Sequence, residues 1–373
     1  MPLDISSSLD ACRQAAQLEF IASNAPLVLG TLRDTPFGLN DLRSTPPRDA
    51  ALRIDSGLSA IVWRLEASGR RWTLKQARPA ALVRNVDGQT AFLNEVQRRI
   101  DHAALKAQDP QRWAGLVDTT WGSFRDGLLL SPWIEGQPVQ EWTERPLRQL
   151  LTLACELWLA GLFEWDLSDG NLLDDGTQLR LFDFGYQYRF DPRRQFSSAG
   201  HGREPLFHPA ERFETRAFSA CLLRLELQQG AGAALAAFRR EKAVALDVYR
   251  SLRHAAAAQG AEAAVLAWLD GIVHRWAQAL RGDAAGLYLA ENWRSHVLDL
   301  DDDLRGRSCT PLTLQRADWL LRTLDEHADA LQAQQAFFWA DRERDLAALR
   351  AHYQALRQDA QACQLNHLEG AQA

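Results

Sequence analysis

Lysine is scarce in this chain of 373 residues: Lys75, Lys106 and Lys242 are the only three, and arginine supplies the rest of the 42 basic residues. The 48 acidic residues are interspersed with the basic ones, and the net charge is −6. This balance gives no sign of the basic surface that nucleic acid requires, so we expect no nucleic-acid partner. Because lysine is so rare, one at a chemically meaningful position is more informative than usual.

Cysteine is also sparse, and its five copies are scattered along the chain. No two have a metal-ligand spacing such as C-x-x-C, and no disulfide framework is predicted. No apolar run approaches the length of a membrane span, and residues 1–20 lack the basic and then apolar order of a secretory signal. We therefore expect a cytoplasmic location, although the sequence leaves open delivery into another cell as an effector.

The pattern along the chain predicts an α+β protein with four parts: residues 1–50, 51–131, 132–230 and 231–373. The first part reads as a helical or irregular N-terminal extension. The second contains short β-favouring runs and one helix at about 90–107, where apolar residues recur at helical spacing. The rest is mainly helical, with a helix at 146–162 and a hairpin at about 171–182. The predicted strands of the second part are residues 52–54, 61–65, 71–74 and 128–130.

The most informative segment is Asp183-Phe184-Gly185, which follows a short β-favouring run. Asn171 lies twelve residues before Asp183, and Asp166 lies five before Asn171. The stretch W-D-L-S-D-G-N-L-L that contains both resembles the catalytic loop H-R-D-L-x-x-x-N of protein kinases, which is followed by a hairpin and D-F-G. On these motifs the chain resembles an atypical member of the protein-kinase-like superfamily, similar to RIO-type kinases.

The resemblance implies a phosphotransferase that uses ATP and Mg²⁺. Phosphoryl transfer needs positioning and neutralisation of charge on phosphate oxygens. Asp183 and Asn171 would hold Mg²⁺, a hard cation that prefers oxygen ligands. Asp166 would accept the proton of the attacking hydroxyl or orient that hydroxyl.

Two upstream residues match further parts of the superfamily. Trp72-Thr73-Leu74-Lys75 resembles the V-A-I-K strand, whose lysine grips the α- and β-phosphates. Glu95 is placed to be the helix partner that holds Lys75. An ordinary solvated edge residue is the alternative for Lys75, but so rare a residue at this position favours the catalytic interpretation.

The nucleotide loop and the hinge have weaker patterns. The segment 55–62 aligns with G-x-G-x-x-G-x-V, but of the three glycines it retains only Gly57, which could equally mark a plain hairpin. The resemblance implies that backbone N–H groups around Gly57 cover the phosphates, with help from Ser56 or Ser59. Asp55 would repel the phosphates unless it points outward. Adenine would lie against residues 131–136, which resemble a kinase hinge with backbone donors and acceptors around Trp133 and Ile134; Pro132 removes one donor.

The chain also departs from protein kinases. Glu164-Trp165 replaces the His-Arg pair before the catalytic aspartate, so we do not expect activation by phosphorylation of the segment after D-F-G. Ser168 stands where Ser/Thr kinases have a lysine. The stretch 208–212 resembles the A-P-E region in scrambled order, and His201 and His208 are predicted to be ordinary loop histidines. The acidic run 299–303 predicts a solvated loop or, alternatively, a docking patch for a basic substrate.

The resemblance implies a two-lobed protein-kinase-like fold, with a small antiparallel β-rich N-lobe and a large helical C-lobe that carries extra helices. The expected activity moves the γ-phosphate of Mg·ATP to a hydroxyl on a protein. A small-molecule or glycolipid kinase is a second hypothesis. It is favoured because Ser168 replaces the lysine of Ser/Thr kinases. A pseudokinase scaffold is a third, favoured by the depleted glycine loop, and an enzyme that transfers AMP is a fourth.

Overall fold

A computed structural model describes residues 5–55, 57, 59–83, 85–199 and 207–365, with the backbone alone for residues 5–8. The chain divides into two compact units, Met1–His201 and Gly202–Ala373. The first unit contains an antiparallel sheet, and the described part of the second unit is mostly helical. The protein is therefore of the α+β class, as the sequence predicted. Ser56 and His201, whose roles were predicted from the sequence, lie outside the described residues.

Six strands form the main sheet of the first unit. They are β1 (Val28–Gly30), β2 (Ala50–Ile54), β3 (Ala60–Ala67), β4 (Arg70–Ala77), β5 (Trp121–Ser123) and β6 (Leu128–Pro132). Their order is β1-β5-β6-β4-β3-β2, and every neighbouring pair is antiparallel. Four strands cover the predicted runs. Strands β1 and β5 were missed because each of these three-residue strands contains a glycine, a residue that is depleted in strands. The predicted N-terminal extension thus supplies an edge strand.

The two faces of this sheet have different roles. Alternating side chains of β3, β4 and β6, such as Trp63, Leu74 and Leu130, form an apolar core on one face. On the other face Leu129 packs against Phe92 and Val96 of α3 (Val86–Gln108). Because side chains alternate along a strand, Lys75 lies on the face opposite Leu74.

The first helix, α1 (Ile5–Ala22), packs along α3. Nε2 of Gln17 donates a hydrogen bond to Oδ1 of Asn94 at 3.4 Å. The Arg13 guanidinium donates to Asp87 at 2.8 Å and lies 3.7 Å from the centre of the Tyr188 ring. The N-terminal segment therefore supports the helix that carries Glu95. Between α1 and β2 the chain forms one short helix, α2 (Leu39–Arg43).

The first unit continues with one helix and two small antiparallel pairs. These elements are α4 (Glu144–Leu159), β7 (Leu162–Glu164), β8 (Leu172–Asp174), β9 (Leu179–Leu181) and β10 (Gln187–Arg189). The pair β8–β9 is the predicted hairpin, and β7 pairs with β10. The prediction that the helix runs to residue 162 was wrong: Gly161 adopts a φ of +76°, which ends the helix and allows the chain to enter β7.

The second unit consists of seven α-helices in the described part of the chain. They are α5 (Pro209–Phe213), α6 (Ser219–Gln229), α7 (Ala231–Ala258), α8 (Ala263–Arg281), α9 (Ala284–Gly306), α10 (Pro311–Ala333) and α11 (Leu346–Ala362). Apolar side chains of α9, α10 and α11, among them Trp293, Leu320 and Tyr353, share one core.

Two expectations about the second unit were wrong. The acidic run 299–303 lies in α9 rather than in a loop, and Asp299 is buried in ion pairs with Arg216 and Arg316. His208 is a buried helix cap rather than a loop histidine.

All five cysteines are free thiols. Among the described residues, no helix combines the length and the apolar character needed to cross a membrane.

Candidate active site

Lys75 is buried in β4, where it is 9% exposed, and it contacts two carboxylates. Its Nζ lies 2.6 Å from Oε2 of Glu95 and 3.1 Å from Oδ2 of Asp183. Burial alone lowers the pKa of Lys75, but the charges of Asp183 and Glu95 outweigh this effect and raise it. The lysine is therefore held as a cation.

Glu95 is held in its ionised form by two cations, one on each carboxylate oxygen. Its Oε1 accepts a hydrogen bond from Arg99 at 2.8 Å, one helical turn further along α3. Burial raises the pKa of Glu95, yet Lys75 and Arg99 together lower it to about 2. Arg99 also lies 4.9 Å from the centre of the Phe184 ring. The spacing of four residues from Glu95 is a signal from which Arg99 could have been predicted.

Asp183 follows β9 in a strained backbone conformation, with a φ of +66°. Such values are uncommon for residues other than glycine and cluster at functional sites. The side chain remains 35% exposed. Burial raises the pKa of Asp183; Lys75 opposes this effect, while the carboxylate of Glu95 adds to it. A further cation beside Asp183 would therefore stabilise its ionised carboxylate.

Asn94 anchors the backbone around Asp183 to α3. Its Nδ2 donates hydrogen bonds to the carbonyl oxygens of Phe184, Gly185 and Gln187 at 3.2, 3.0 and 2.8 Å. Asn94 is 1% exposed, so these bonds are protected from water. This role of Asn94 was not predicted from the sequence, because nothing local to residue 94 indicates partners about 90 residues later.

Asn171 and Asp166 are adjacent in a short loop. Nδ2 of Asn171 donates to both the carbonyl oxygen and Oδ2 of Asp166, each at 3.0 Å. The carbonyl oxygen of Asn171 accepts from the N–H of Phe182 at 3.1 Å, which brings the loop beside Asp183. In the described part of the chain, Oδ1 of Asn171 has no hydrogen-bond partner and can act as an oxygen ligand.

Glu164 supports the backbone of Asp166. Its Oε1 accepts from the backbone N–H of Asp166 at 2.9 Å, and its Oε2 accepts from Nε2 of Gln187 at 3.2 Å. Oε1 of Gln187 is in turn bonded to Nε2 of His102 at 2.7 Å. Burial, and then the charges of Asp166 and Asp183, raise the pKa of Glu164 well above its usual range. Glu164 is therefore a buried support whose surroundings favour the protonated form, a role that was not predicted from the sequence.

The loop between β2 and β3 is held by Arg78. Its Nε donates to the carbonyl oxygen of Gly57 at 2.9 Å, and its guanidinium also binds the carbonyl and carboxylate of Asp55. The hydrogen bond from Arg78 lowers the pKa of Asp55, with Arg53 contributing a second ion pair. A side chain at Gly57 would place its Cβ 2.5 Å from the carbonyl oxygen of Ala60. The carbonyl oxygen of Ser59 accepts from the backbone N–H of Arg78 at 2.9 Å.

A mostly apolar cleft lies beside Lys75 and Asp183, with about 150 Å³ of space open to water. Its walls include Ile54, Val62 and Leu173. Trp133 and Ile134, which the sequence placed in a hinge-like segment, also line it. One of the two predicted backbone donors, the N–H of Trp133, is already paired within the protein.

The N–H of Trp133 donates to the carbonyl oxygen of Arg71 at 3.1 Å, because pairing with β4 continues one residue beyond β6. Within the described residues, the N–H of Ile134 has no partner. Of the two residues predicted to offer backbone donors, Ile134 is therefore the one whose N–H is open to a ligand in this cleft.

Among the described residues, no group of three or more His, Cys, Asp or Glu side chains is arranged to hold a metal ion. A magnesium site here would thus rest on the carboxylate of Asp183 and Oδ1 of Asn171. That fits Mg²⁺, which usually takes one or two protein oxygens and completes its octahedron with phosphate and water.

The structure thus brings together Lys75, Glu95 and Asp183 beside the cleft. It separately brings together Asn171 and Asp166. No model of a known protein family matches this chain, and a search of curated proteins found no similar sequence.

Proposed function

We propose that this chain is an ATP-dependent phosphotransferase of protein-kinase-like fold, with the sheet as the core of a small lobe and the helices as a larger one. It would transfer the γ-phosphate of ATP to a hydroxyl group on a protein. The observation that carries this proposal is Lys75, a buried cation that joins Glu95 and Asp183 at the edge of an apolar cleft.

The cleft suits a planar base. Ile54, Val62 and Leu173 offer apolar contacts to its two faces, and the Ile134 N–H offers a donor to its edge. The Lys75 ammonium, oriented by Glu95, would contact the phosphates. Arg78 keeps the Asp55 carboxylate neutralised beside the loop that would cover them.

Asn171 and Asp183 would hold Mg²⁺, which when bound neutralises charge on the phosphate oxygens. Asp183 gains from this, because its carboxylate is otherwise disfavoured by burial and by Glu95. The amide of Asn171 uses its nitrogen for Asp166 and keeps Oδ1 for the metal.

Asp166 would accept the proton of the attacking hydroxyl. Two hydrogen bonds orient it, one from Asn171 to its carboxylate and one from its own N–H to Glu164. Trp165, which replaces the arginine of the H-R-D motif, donates from its Nε1 to Oγ of Ser198 at 2.7 Å. An indole carries no charge that could pair with a phosphate, which supports activity without phosphorylation of the segment after Gly185.

The test is label transfer by the purified protein with Mg²⁺ and ATP carrying label on the γ- or the α-phosphate, beside an Asp183→Asn variant. We expect γ-label on the protein itself or on added lysate proteins, reduced about 100-fold or more by the substitution. Transfer of α-label would overturn the proposal in favour of AMP transfer.

Two further outcomes of the same experiment would indicate different functions. Magnesium-dependent ATP binding without transfer to any protein, but with transfer when small hydroxyl compounds are added, would indicate a small-molecule kinase. Binding with no transfer under either condition would indicate a pseudokinase.

A further inference from the structure

The ring of Phe184, the residue after Asp183, is fully buried and contacts two side chains of α3. The guanidinium carbon of Arg99 lies over this ring, 4.9 Å from its centre. The His102 ring meets the Phe184 ring edge to face, with 4.2 Å between the ring centres. Positions 99 and 102 are three residues apart, so both side chains lie on one face of the helix. One helix face therefore holds the Phe184 ring by two contacts.

The contact between Arg99 and Phe184 is of the cation–π type. A guanidinium within about 6 Å of a ring centre is attracted by the negative face of the ring, and the attraction is stronger where water is excluded. Arg99 is 4% exposed and Phe184 is 0% exposed, so water is excluded here. Movement of the ring would take a favourable contact away from a buried cation and is therefore disfavoured.

His102 contributes no charge to the contact with Phe184. Its Nε2 is bonded to Oε1 of Gln187 at 2.7 Å, and since an amide oxygen can only accept, the ring proton is on Nε2. Burial lowers the pKa of His102 to about 3, so its ring is neutral at physiological pH. Of the two side chains, only Arg99 therefore attracts the Phe184 ring by its charge.

Arg99 also contacts the other half of the site. One terminal nitrogen donates to Oε1 of Glu95 at 2.8 Å, and the other donates to the Thr119 hydroxyl at 3.3 Å. The second oxygen of Glu95 accepts from Lys75. If Lys75 turns towards a phosphate, Glu95 still retains a buried cation beside it. One guanidinium thus connects the residue that orients Lys75 with the residue next to Asp183.

We propose that Arg99 is a positioning residue for phosphotransfer, which fixes Glu95 on one side and, through Phe184, the backbone of Asp183 on the other. Arg99 is among the residues that line the cleft, but its terminal nitrogens are already bonded to the protein. It would therefore act on the reaction through Glu95 and Phe184 and not by contact with the nucleotide. The inference rests on the proposed function, but the contacts themselves can be tested without nucleotide.

The first test measures hydrogen exchange in the segment around Asp183 without nucleotide. The amides of Phe182 and Gln187, on either side of Phe184, are both hydrogen-bonded and report local opening of the segment. We expect them to exchange about 10-fold faster in Arg99→Leu than in the wild type. Unchanged exchange would overturn the inference. Equal acceleration in β3 would indicate general destabilisation and would overturn it as well.

Lys106→Leu is the matched control for the loss of charge. It removes another cation from α3, but one whose ion pair is with Asp118. Exchange at Phe182 and Gln187 should match the wild type. Acceleration equal to that of Arg99→Leu would show that any loss of charge from the helix loosens the segment, which would contradict a specific role of Arg99.

Phe184→Leu tests the route of the effect. It removes the ring and retains the ion pair of Arg99 with Glu95. Because Arg99 acts on this segment through the ring, adding Arg99→Leu to Phe184→Leu should accelerate exchange by about 2-fold at most, against about 10-fold in the wild-type background. Equal acceleration in the two backgrounds would overturn the role of Phe184.

The second test is steady-state kinetics with Mg²⁺ and ATP. Arg99→Leu should lower kcat about 10-fold and raise the KM for Mg²⁺. Phe184→Leu should mainly raise the KM for Mg²⁺, because Glu95 and Lys75 keep their contacts. Arg99→Lys again places a cation beside Glu95 and should recover most of the kcat.

The kinetic outcomes separate this inference from the proposed function. Transfer by Arg99→Leu at the wild-type rate would overturn the positioning role. Absence of transfer by the wild type would contradict the proposed function, and the exchange comparison would then decide the role of Arg99 alone.

Discussion

Lys75 and Asp183 form an ion pair beside the cleft of the first unit, with Nζ 3.1 Å from Oδ2. The lysine comes from the central part of the sheet, and the aspartate from the turn after β9. Glu95 completes the group from α3. The Lys75 ammonium thus connects β4, α3 and the turn after β9. Glu95 and Asp183 can be substituted separately to test each contact.

Asp183→Asn should separate activity from stability. We expect phosphate transfer to fall about 100-fold or more, while the free energy of unfolding at pH 7 is unchanged or higher. The reason is that burial and Glu95 disfavour the carboxylate, and asparagine tolerates the positive φ. Urea denaturation and label transfer measure the two effects. A loss of several kcal/mol would mean that Asp183 serves mainly to stabilise Lys75.

Glu164→Gln should change how stability depends on pH. The folded pKa of Glu164 lies well above 4.5, so the unfolded chain releases this proton first as the pH rises. Between about pH 5 and the folded pKa, the wild type therefore loses about 1.4 kcal/mol per pH unit through this group. The variant should lack this loss. Urea denaturation from pH 5 to 8 checks it, with the exposed Glu141→Gln as control. Parallel curves for wild type and Glu164→Gln would contradict the assignment.

Asn94→Leu should loosen the segment around Asp183. The substitution removes one donor that serves three carbonyl oxygens, so we expect the free energy of unfolding to fall by about 2 kcal/mol. Transfer activity should fall as well, because Asp183 loses its attachment to α3. Gln89→Leu, an exposed position on the same helix, is the matched control and should change neither quantity. Unchanged activity in Asn94→Leu would show that this attachment is not needed.

Arg78→Gln should raise the KM for ATP about 10-fold, because the loop loses its tie and the Asp55 carboxylate loses a cation beside the proposed phosphate site. Adding Asp55→Asn should restore part of the loss by removing the repulsion. Steady-state kinetics at varied ATP measures both variants. Arg70→Gln, on an exposed part of β4, is the control. No rescue by Asp55→Asn would mean that the loop geometry alone matters.

The contact between Lys75 and Glu95 was expected from the motif order of the superfamily that the chain resembles. Asp166 and Asn171 were selected by their spacing of five residues, and the helix that carries Glu95 was visible from its apolar periodicity. The supports of the site were not predictable in this way. Asn94, Glu164 and Arg78 bind backbone atoms, and nearly every residue type presents the same carbonyl and N–H groups.

The segment 131–136 shows a second limit to prediction. Its resemblance to a kinase hinge drew attention to Trp133 and Ile134, but which N–H group is available depends on where pairing with β4 ends. One extra ladder bond removes the Trp133 donor. Strand ends differ by a residue or two for reasons of packing that a single sequence does not display.

During synthesis on the ribosome, several elements of the first unit emerge long before the residues with which they pair. Strand β1 can pair only after Ser123 has emerged, and Asn94 finds the last of its carbonyl partners at Gln187. About half of the chain must therefore leave the ribosome before the cleft can form. The first unit consequently depends on contacts that are distant in sequence, which slow folding because long loops must close before these contacts form.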